Sequence, residues 1–387
     1  MSNKKLTILA IAAVVTVLWA VIQSRVSNTP RSEPGGPAYL IQGLDPADID
    51  TIVLGTGEDE VTLKRDRGGF VVASKENYPA KTSEINSLLS KCLEIKTSEF
   101  VTDNPSNHED LEVTEEKARN VVKLMTPEPN ATTLAGVVVG KTEELGQGTY
   151  VRLLSSDPDL SNKVYVAPST PWFSSGATSY IEQELISAKR EDIESVTVSS
   201  PNGQYILKKT EGSDDAVLEN VPPGKRYKSS DGQSVFTALT SLRFDDVKRQ
   251  SSDLKFEKQY VCRLKDSTVY TLDIAQKDDK TYAACKAEYT DTTQVTKGSD
   301  VESEEELKAK EAKLLARDNA QKFTASHQAW VYEIADWKAK NLTKELSDLL
   351  EDEEPEPEES AADPNAVTPE LIDAPQTEDP NTVQTES

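Results

Sequence analysis

Two stretches of the chain show the same alternation of apolar and polar residues. They are ADIDTIVLGTGEDEVTLKR (47–65) and EDIESVTVSSPNGQYILKK (191–209), which align so that Ile52 falls on Val196. A period of two is typical of half-buried strands. In the second stretch, Asn202-Gly203 lies between two apolar runs, a strong hairpin signal. Each stretch therefore predicts a β-hairpin.

A helical pattern follows each hairpin, after a loop that contains proline (YPA at 78–80, VPPGK at 221–225). Ile85, Leu89 and Cys92 are spaced by four and three residues, which places them on one helical face. The same spacing recurs later in the chain at Val235, Leu239 and Leu242. The order of hairpin, loop and helix thus occurs twice.

More landmarks recur in the same order, namely VVKL (121–124) with VCRL (261–264), TYVR (149–152) with TYAA (281–284), and KVYVAPSTPW (163–172) with AWVYEIADW (329–337). Each series closes on a predicted terminal helix, at 174–185 and at 339–350. Internal similarity of this length indicates repeated units. The sequence predicts an α+β fold with two tandem repeats of antiparallel sheet plus helices, at 40–187 and 188–350.

The second repeat differs from the first mainly at residues 302–323, ESEEELKAKEAKLLARDNAQKF. Its acidic and then basic composition predicts a helical insert with a thin apolar stripe. Such a helix is typical of a solvated strut, and the alternative is a seam for a partner helix.

The N-terminus is apolar, because residues 6–24 (LTILAIAAVVTVLWAVIQS) carry no charge. A helix of that length spans roughly 28 Å, close to the hydrocarbon core of a bilayer. The sequence predicts a cytoplasmic N-terminus at 1–5, a transmembrane signal-anchor helix at 6–24 and a linker at 25–39. It places the bulk of the chain on the periplasmic side of a bacterial inner membrane.

The C-terminal end is acidic. Of the net charge of −24, residues 351–387 carry −13, with no lysine or arginine. Like-charge repulsion and proline predict a disordered acidic tail at 351–387. Because the longest basic cluster is KRYK (225–228), the charge also disfavours a nucleic-acid partner.

The chain has three cysteines and no Cys/His spacing typical of a metal site, so no metal is predicted. A disulfide between Cys262 and Cys285 is possible in an exported protein, with Cys92 left as a buried thiol. The sequence alone leaves that pairing open.

Residues 135–142, AGVVVGKT, share three letters with a phosphate-binding loop. That motif begins with glycine and continues into a helix, whereas this one begins with Ala135 and continues into EELGQG and a predicted strand. The sequence therefore predicts that Gly140 ends a strand, with Lys141 and Thr142 in the connection that follows. It also predicts that the chain binds no nucleotide and no other cofactor.

Few residues suit catalysis. The two histidines, His108 and His327, are predicted at solvent-exposed positions, and no nucleophile or metalloprotease motif occurs. Carboxylates are abundant, which leaves a paired-carboxylate hydrolase as a weaker alternative. No catalytic residue is predicted.

Trp172 and Trp337 occupy matched places, each before a predicted terminal helix. They could plug the end of a sheet as core residues. They could also be exposed anchors for a partner, since tryptophan is enriched at binding hot spots. These two tryptophans are the candidate partner-binding residues.

The landmarks resemble the bacterial membrane-anchored domain-of-unknown-function family 4340. The resemblance rests on the N-terminal anchor, LDPADIDTIVL, VTLKRDRGGFVV before YPA, GVVVGKTEELGQGTYVRLL and KVYVAP. It implies an exported accessory protein associated with ABC-type or gliding-motility-like transport systems. No catalytic residues are established for that family, so the resemblance assigns none to this chain.

The sequence thus predicts a non-enzymatic, membrane-anchored accessory or scaffold protein with protein partners in a transport or envelope complex. One alternative is a cell-envelope binding or structural module that works without a transporter. The weaker alternative is the carboxylate-dependent hydrolase.

Overall fold

The computed structural model of the protein describes residues 38–353, except 145, 147, 211, 214 and 296–302. The predicted segments 1–5 and 6–24 lie outside the described residues, as do most of the linker and the tail. No helix in the described part of the chain is long and apolar enough to cross a membrane.

The first half of the described chain is rich in strands. They are β1 (Ala38–Tyr39), β2 (Thr51–Leu54), β3 (Val61–Asp66), β4 (Gly69–Val72), β5 (Tyr78–Pro79), β6 (Lys96–Thr97), β7 (Glu99–Thr102), β8 (Asn120–Met125), β9 (Thr133–Thr142), β10 (Thr149–Leu154) and β11 (Val164–Ala167).

The second half continues in the same way. Its strands are β12 (Glu184–Ile186), β13 (Ile193–Ser200), β14 (Gly203–Lys209), β15 (Ala216–Leu218), β16 (Lys225–Tyr227), β17 (Leu242–Arg243), β18 (Asp246–Arg249), β19 (Phe256–Leu264), β20 (Thr268–Lys277), β21 (Lys280–Tyr289), β22 (Trp330–Ile334) and β23 (Leu350–Asp352).

Helices are few and mostly short in the described residues. They are α1 (Thr82–Leu93), α2 (Pro158–Ser161), α3 (Ser229–Phe236), α4 (Glu304–His327) and α5 (Asp336–Thr343). Single 3-10 turns, among them Ala73–Lys75, Ala177–Tyr180 and Leu346–Leu349, connect other elements.

Most strands belong to two large antiparallel sheets. The first sheet has the order β5-β4-β3-β2-β8-β9-β10-β11-β7, and the second has the order β15-β14-β13-β19-β20-β21-β22-β18. Both therefore place a hairpin and its third strand on one side and a meander on the other. In each, the second strand after the helix returns to the far edge, β7 in the first sheet and β18 in the second.

The predicted fold class is wrong. The described chain is a β-rich fold dominated by antiparallel sheet, and helices contribute much less than an α+β repeat with two helices per unit requires. The predicted helix at 174–185 is one 3-10 turn, Ala177–Tyr180, followed by β12. Its Ser, Gly and Thr residues are poor helix formers, which explains why no helix forms there.

The other helix predictions differ in their bounds. At 339–350 the structure has the end of α5, a 3-10 turn and the start of β23.

The predicted tail at 351–387 begins too early, because Glu351 and Asp352 pair with β16. Around the insert, α4 continues to His327, and Ser303 caps its N-terminus through a capping box with Glu306.

Both hairpins are confirmed. Ile52 pairs with Leu63 across β2 and β3, and the matched residues Val196 and Leu207 pair across β13 and β14. All four side chains are buried. The tight turn in the second hairpin joins Ser200 to Gly203.

The core is continuous across the two sheets. The apolar face of α1, formed by Ile85, Leu88, Leu89 and Cys92, packs into one cluster together with side chains of both sheets. Phe236 of α3 is in the same cluster and is fully buried. The two sheets are therefore parts of one packed body.

The two sheets are also joined through Tyr78 at the edge of the first sheet. Its ring packs edge-on against Trp330, with ring centroids 4.8 Å apart, and it also contacts Phe244 and Tyr332 of the second half. Beside it, Nζ of Lys75 lies 2.7 Å from Oδ1 of Asp246 in β18.

The cysteines are all free and buried. Cys262 lies in β19 and Cys285 in β21, and β20 runs between those strands. Two strand spacings, about 9.6 Å, exceed the roughly 7 Å limit for the Cα atoms of a disulfide. The Cys262–Cys285 pairing that the sequence left open is therefore absent from this structure.

Gly140, Lys141 and Thr142 are the last residues of β9. A Cβ at Gly140 would overlap the carbonyl oxygen of Leu111, so glycine is required by a close approach of the backbone rather than by a phosphate. The amide of Lys141 donates to the same carbonyl. The prediction of a strand at this place is confirmed, but the strand continues two residues beyond Gly140, so Lys141 and Thr142 belong to β9 rather than to the connection that the sequence predicted.

Candidate functional site

Both histidines have specific partners in the structure. The prediction that they are solvent-exposed is wrong. His108 is buried, and its Nε2 lies 2.9 Å from the carbonyl oxygen of Asn162. His327 lies 2.5 Å, through Nδ1, from the hydroxyl of Tyr332 and stacks near Phe323. Burial lowers the pKa of His327 to about 4, so its ring is neutral at pH 7.

Trp172 is the most exposed tryptophan described, with 75% of its surface accessible. It follows β11 in the chain and borders a small concave niche of about 200 Å³. The other wall of this niche is the outer face of α1, where Glu84, Ser87 and Lys91 succeed one another at helical spacing. An aromatic ring thus stands beside a rim of hydroxyl and charged groups.

The loop that carries Trp172 is anchored directly after this residue. The next residue, Phe173, is buried, and its carbonyl accepts a hydrogen bond from Nδ2 of Asn120 at 2.9 Å. The hydroxyl of Tyr180 donates to the carbonyl of Ser174 at 2.8 Å, and burial raises the pKa of Tyr180 to about 12. These contacts fix the backbone next to Trp172 before any partner binds, which lowers the ordering cost of binding.

Trp337 occupies the corresponding place in the second sheet. It follows β22, the counterpart of β11, and is 66% accessible. It lies in the first turn of α5, where Nζ of Lys338 lies 4.7 Å from the ring centroid. The helix α5 contacts α3, just as Trp172 lies beside α1. The interpretation of these two tryptophans as core residues is therefore wrong.

A larger groove of about 1010 Å³ lies between the end of β21 and α4. Thr324 of α4 bonds both backbone groups of Ala287, so the helix covers the strand edge that β22 leaves unpaired. Asp291 lines the groove and pairs with Nζ of Lys313 at 2.9 Å. Hydrogen bonds from Lys313 and Thr293 hold the pKa of Asp291 well below its usual range.

Within the described residues, no group of three or more His, Cys, Asp or Glu side chains is placed to hold a metal ion. The sequence analysis did not predict the groove beside α4. The feature of the sequence that points to it is the inserted segment 302–323, which lies between the paired strands β21 and β22. Because β22 pairs with only part of β21, the rest of that strand edge is covered by the inserted helix.

The arrangement defines a class of protein: two antiparallel sheets of the same strand order, packed through one core, each with an exposed tryptophan after the corresponding strand. Residues 71–260 match the family model described as Domain of unknown function (DUF4340). The match runs from β4 of the first sheet into β19 of the second and supports the family resemblance of the sequence landmarks. No curated protein and no solved structure shows significant similarity to the chain.

Proposed function

We propose that this protein is a non-enzymatic accessory or scaffold subunit of an ABC-type export assembly, and that it binds a partner protein through Trp172 and Trp337. The observation that carries the proposal is the exposure of both tryptophans at corresponding places in the two sheets. Exposed, anchored aromatic residues are typical centres of protein–protein interfaces.

The geometry adds support for a protein surface as the ligand. The niche beside Trp172 is small and shallow, so it suits one side chain of a partner better than a whole small molecule. Two exposed tryptophans on one packed body provide two contacts, whose combined affinity exceeds that of either alone when one partner reaches both. The proposed location on the periplasmic side of a bacterial inner membrane is supported by sequence alone.

The test uses the full chain in native membranes. The protein is solubilised in mild detergent and captured, and its companions are identified for the wild type, for Trp172→Ala, for Trp337→Ala and for the double variant. We expect transporter subunits with the wild type and progressively fewer with the variants. Leu315→Ala is the matched control, because Leu315 is also an exposed large apolar residue but lies on α4.

Recovery of no transporter subunit with the wild type would contradict the proposal. Equal recovery with the double variant would contradict the role of the tryptophans. Because both side chains are exposed, the variants should unfold at the wild-type temperature, which separates loss of binding from loss of folding.

A second candidate is a module that binds cell-envelope polymer without a transporter. The rim of Ser87, Ser174 and Ser179 beside the Trp172 ring favours it, because sugars stack on aromatic faces and hydrogen-bond to adjacent hydroxyl groups. Retention of the wild type on the cell-wall fraction, lost in Trp172→Ala, would select this candidate.

The hydrolase alternative receives no support from the electrostatics of the larger groove. A glycosidase needs one carboxyl group with a raised pKa to act as the acid. Asp291 in the groove has a lowered pKa, because Lys313 and Thr293 stabilise its charged form.

A further inference from the structure

The contact between the two sheets of one chain is made by a loop and a strand edge. The loop is 73–79 of the first sheet, and the edge is β18 with its neighbour β22. Lys75 pairs with Asp246, and the carboxylate of Glu76 accepts a hydrogen bond from the backbone amide of Arg249 at 3.3 Å. Tyr78 inserts among the aromatic rings behind that edge. We call loop 73–79 the inner donor and β18 with β22 the inner acceptor.

The first sheet carries the same kind of edge, at β7 with its neighbour β11. Glu99 faces Val166 there as Asp246 faces Glu333 in the second sheet, so an acidic residue occupies the same place. Phe100 is 51% accessible and lies edge-on to Tyr165, and Val101 is also exposed. We call β7 with β11 the outer acceptor.

The second sheet carries a loop in the place of the inner donor. Residues 219–222 read Glu-Asn-Val-Pro, where residues 76–79 of the inner donor read Glu-Asn-Tyr-Pro. Val221 stands at the position of Tyr78 and is 43% accessible. We call residues 217–226 the outer donor.

Charge on the outer donor matches the outer acceptor. The outer donor lacks a turn like Ala73–Lys75, but Lys225 and Arg226 follow its loop and have exposed side chains. They are paired with acidic residues of β23 near the surface, where such pairs are weak. They can therefore exchange toward Glu99 of the outer acceptor and toward Asp103, which follows β7.

We propose that a second copy of this chain docks head to tail, with the outer donor of one copy on the outer acceptor of the next. The new contact would use places that correspond to those joining the two sheets inside each chain, with Val221 in place of Tyr78 and with Lys225 and Arg226 in place of Lys75. Val221 would pack on Phe100 and Tyr165, and the basic residues would face Glu99.

The path of the chain agrees with this docking. The amide of Lys81 donates to the carbonyl of Tyr180, just before the chain passes from the first sheet into β12. The amide of Lys228 donates in the same way to the carbonyl of Leu349, just before β23. The chain therefore leaves the first sheet next to the inner donor, and it leaves the second sheet next to the outer donor.

The entry of the chain is also repeated. Strand β1 pairs with β6 next to the outer acceptor, as β12 pairs with β17 next to the inner acceptor. Head-to-tail docking thus brings the residues at which the chain leaves the second sheet of one copy close to β1, where the chain enters the first sheet of the next copy. A heterologous contact of this kind leaves a free donor and a free acceptor on every dimer, so further copies can add and the oligomers should grow with concentration.

An edge strand that exposes two adjacent apolar residues without lysine or proline is a surface for pairing. The alternative to head-to-tail docking is therefore edge-to-edge pairing of β7 with β7 of a second copy. The two arrangements differ in one respect that can be tested, because only the first requires Val221.

The experiment measures sedimentation of the full chain in mild detergent over a wide range of concentration. We expect the wild type to grow in size with concentration and Phe100→Glu and Val221→Glu to remain monomers. Mixed in equal amounts, the two variants should form dimers and nothing larger, because one keeps only its donor and the other only its acceptor. Leu315→Glu, an exposed substitution on α4, should behave as the wild type.

A second measurement detects weak docking. Phe100→Cys mixed with Val221→Cys under mild oxidation should give a disulfide-linked dimer of the two variants. Continued association of Val221→Glu, with loss in Phe100→Glu, would overturn the proposal in favour of edge-to-edge pairing. A monomeric wild type together with no Phe100→Cys/Val221→Cys dimer would also overturn it.

Discussion

The ring of Tyr78 in the first sheet lies edge-on against the ring of Trp330 in the second sheet, with centroids 4.8 Å apart. Trp330 is also covered on its face by the guanidinium of Arg249, whose Cζ lies 3.8 Å from a ring centroid. Residues far apart in the chain are thus brought together in one buried aromatic cluster. This cluster makes the two sheets depend on each other.

Tyr78→Ala should destabilise the whole chain. Removing a buried aromatic ring typically lowers the free energy of unfolding by about 3–5 kcal/mol. Urea unfolding followed by tryptophan fluorescence measures the change. Tyr39→Ala is the control, because Tyr39 is exposed and should alter stability by no more than about 0.5 kcal/mol. Equal effects of the two substitutions would mean that the Tyr78 cluster does not join the sheets.

The ion pair between Lys75 and Asp246 should contribute little by itself. The side chain of Asp246 is 44% accessible, and pairs near the surface are typically worth about 0.2–1 kcal/mol. A double-mutant cycle with Lys75→Met and Asp246→Asn should give a coupling energy in that range, reduced by added salt. A coupling of several kcal/mol, insensitive to salt, would contradict the view that the aromatic cluster dominates this contact.

Acid should destabilise the protein through His327. In the unfolded chain its pKa is near 6.5, whereas burial lowers the pKa in the folded protein to about 4. As the pH falls below 6.5, the unfolded state takes up a proton that the folded state excludes, so this contribution to stability is full above pH 6.5 and is lost on the way to pH 4.

Between pH 7 and pH 5 we expect a loss of about 2 kcal/mol in the free energy of unfolding from this group. Chemical unfolding at the two pH values measures it, and His327→Gln should remove most of the difference. The same loss in the variant would assign the pH dependence to other groups.

Gly140→Ala should lower the free energy of unfolding by about 1–3 kcal/mol, because the added Cβ overlaps the carbonyl of Leu111 in a packed region. Lys141→Ala should change stability by no more than about 0.5 kcal/mol. Thermal unfolding of both variants is the measurement. If wild-type protein bound ATP and Lys141→Ala abolished that binding, the strand interpretation of AGVVVGKT would be wrong.

The three thiols should be unreactive in the folded protein. Burial raises the pKa of Cys92 and of Cys262 to about 12 and also raises the pKa of Cys285. The thiolate is the reactive form, so a thiol reagent at pH 8 should modify no cysteine before unfolding and three after it. If the reagent modified only one cysteine after unfolding without reductant, the other two would be joined in a disulfide.

The hairpins and the face of α1 could be predicted from the sequence because their signals are local. The pairs Ile52–Leu63 and Val196–Leu207 follow from alternation over a few residues. The buried face of α1 follows from residues three and four apart. The spacing of Val235, Leu239 and Leu242 predicts that the counterpart helix α3 extends to Leu242. The helix ends at Phe236, and Leu242 lies in β17.

Only part of the candidate site could be predicted from the sequence. The matched positions of Trp172 and Trp337 are visible in the chain, but alternation does not say whether a residue at the end of a strand turns inward or outward. Phe173, the next residue, turns inward and is buried, and Trp172 is thereby left on the surface.

What the sequence by itself determined is the set of local elements and the order in which they recur, since period and turn chemistry act over a few residues. Only the tertiary structure decided that strand predominates over helix, that β20 separates Cys262 from Cys285, and that Tyr78 is covered while Phe100 is exposed. The physical reason is that these outcomes depend on pairing between segments far apart in the chain, where a strand edge or a ring is buried only if a distant segment reaches it.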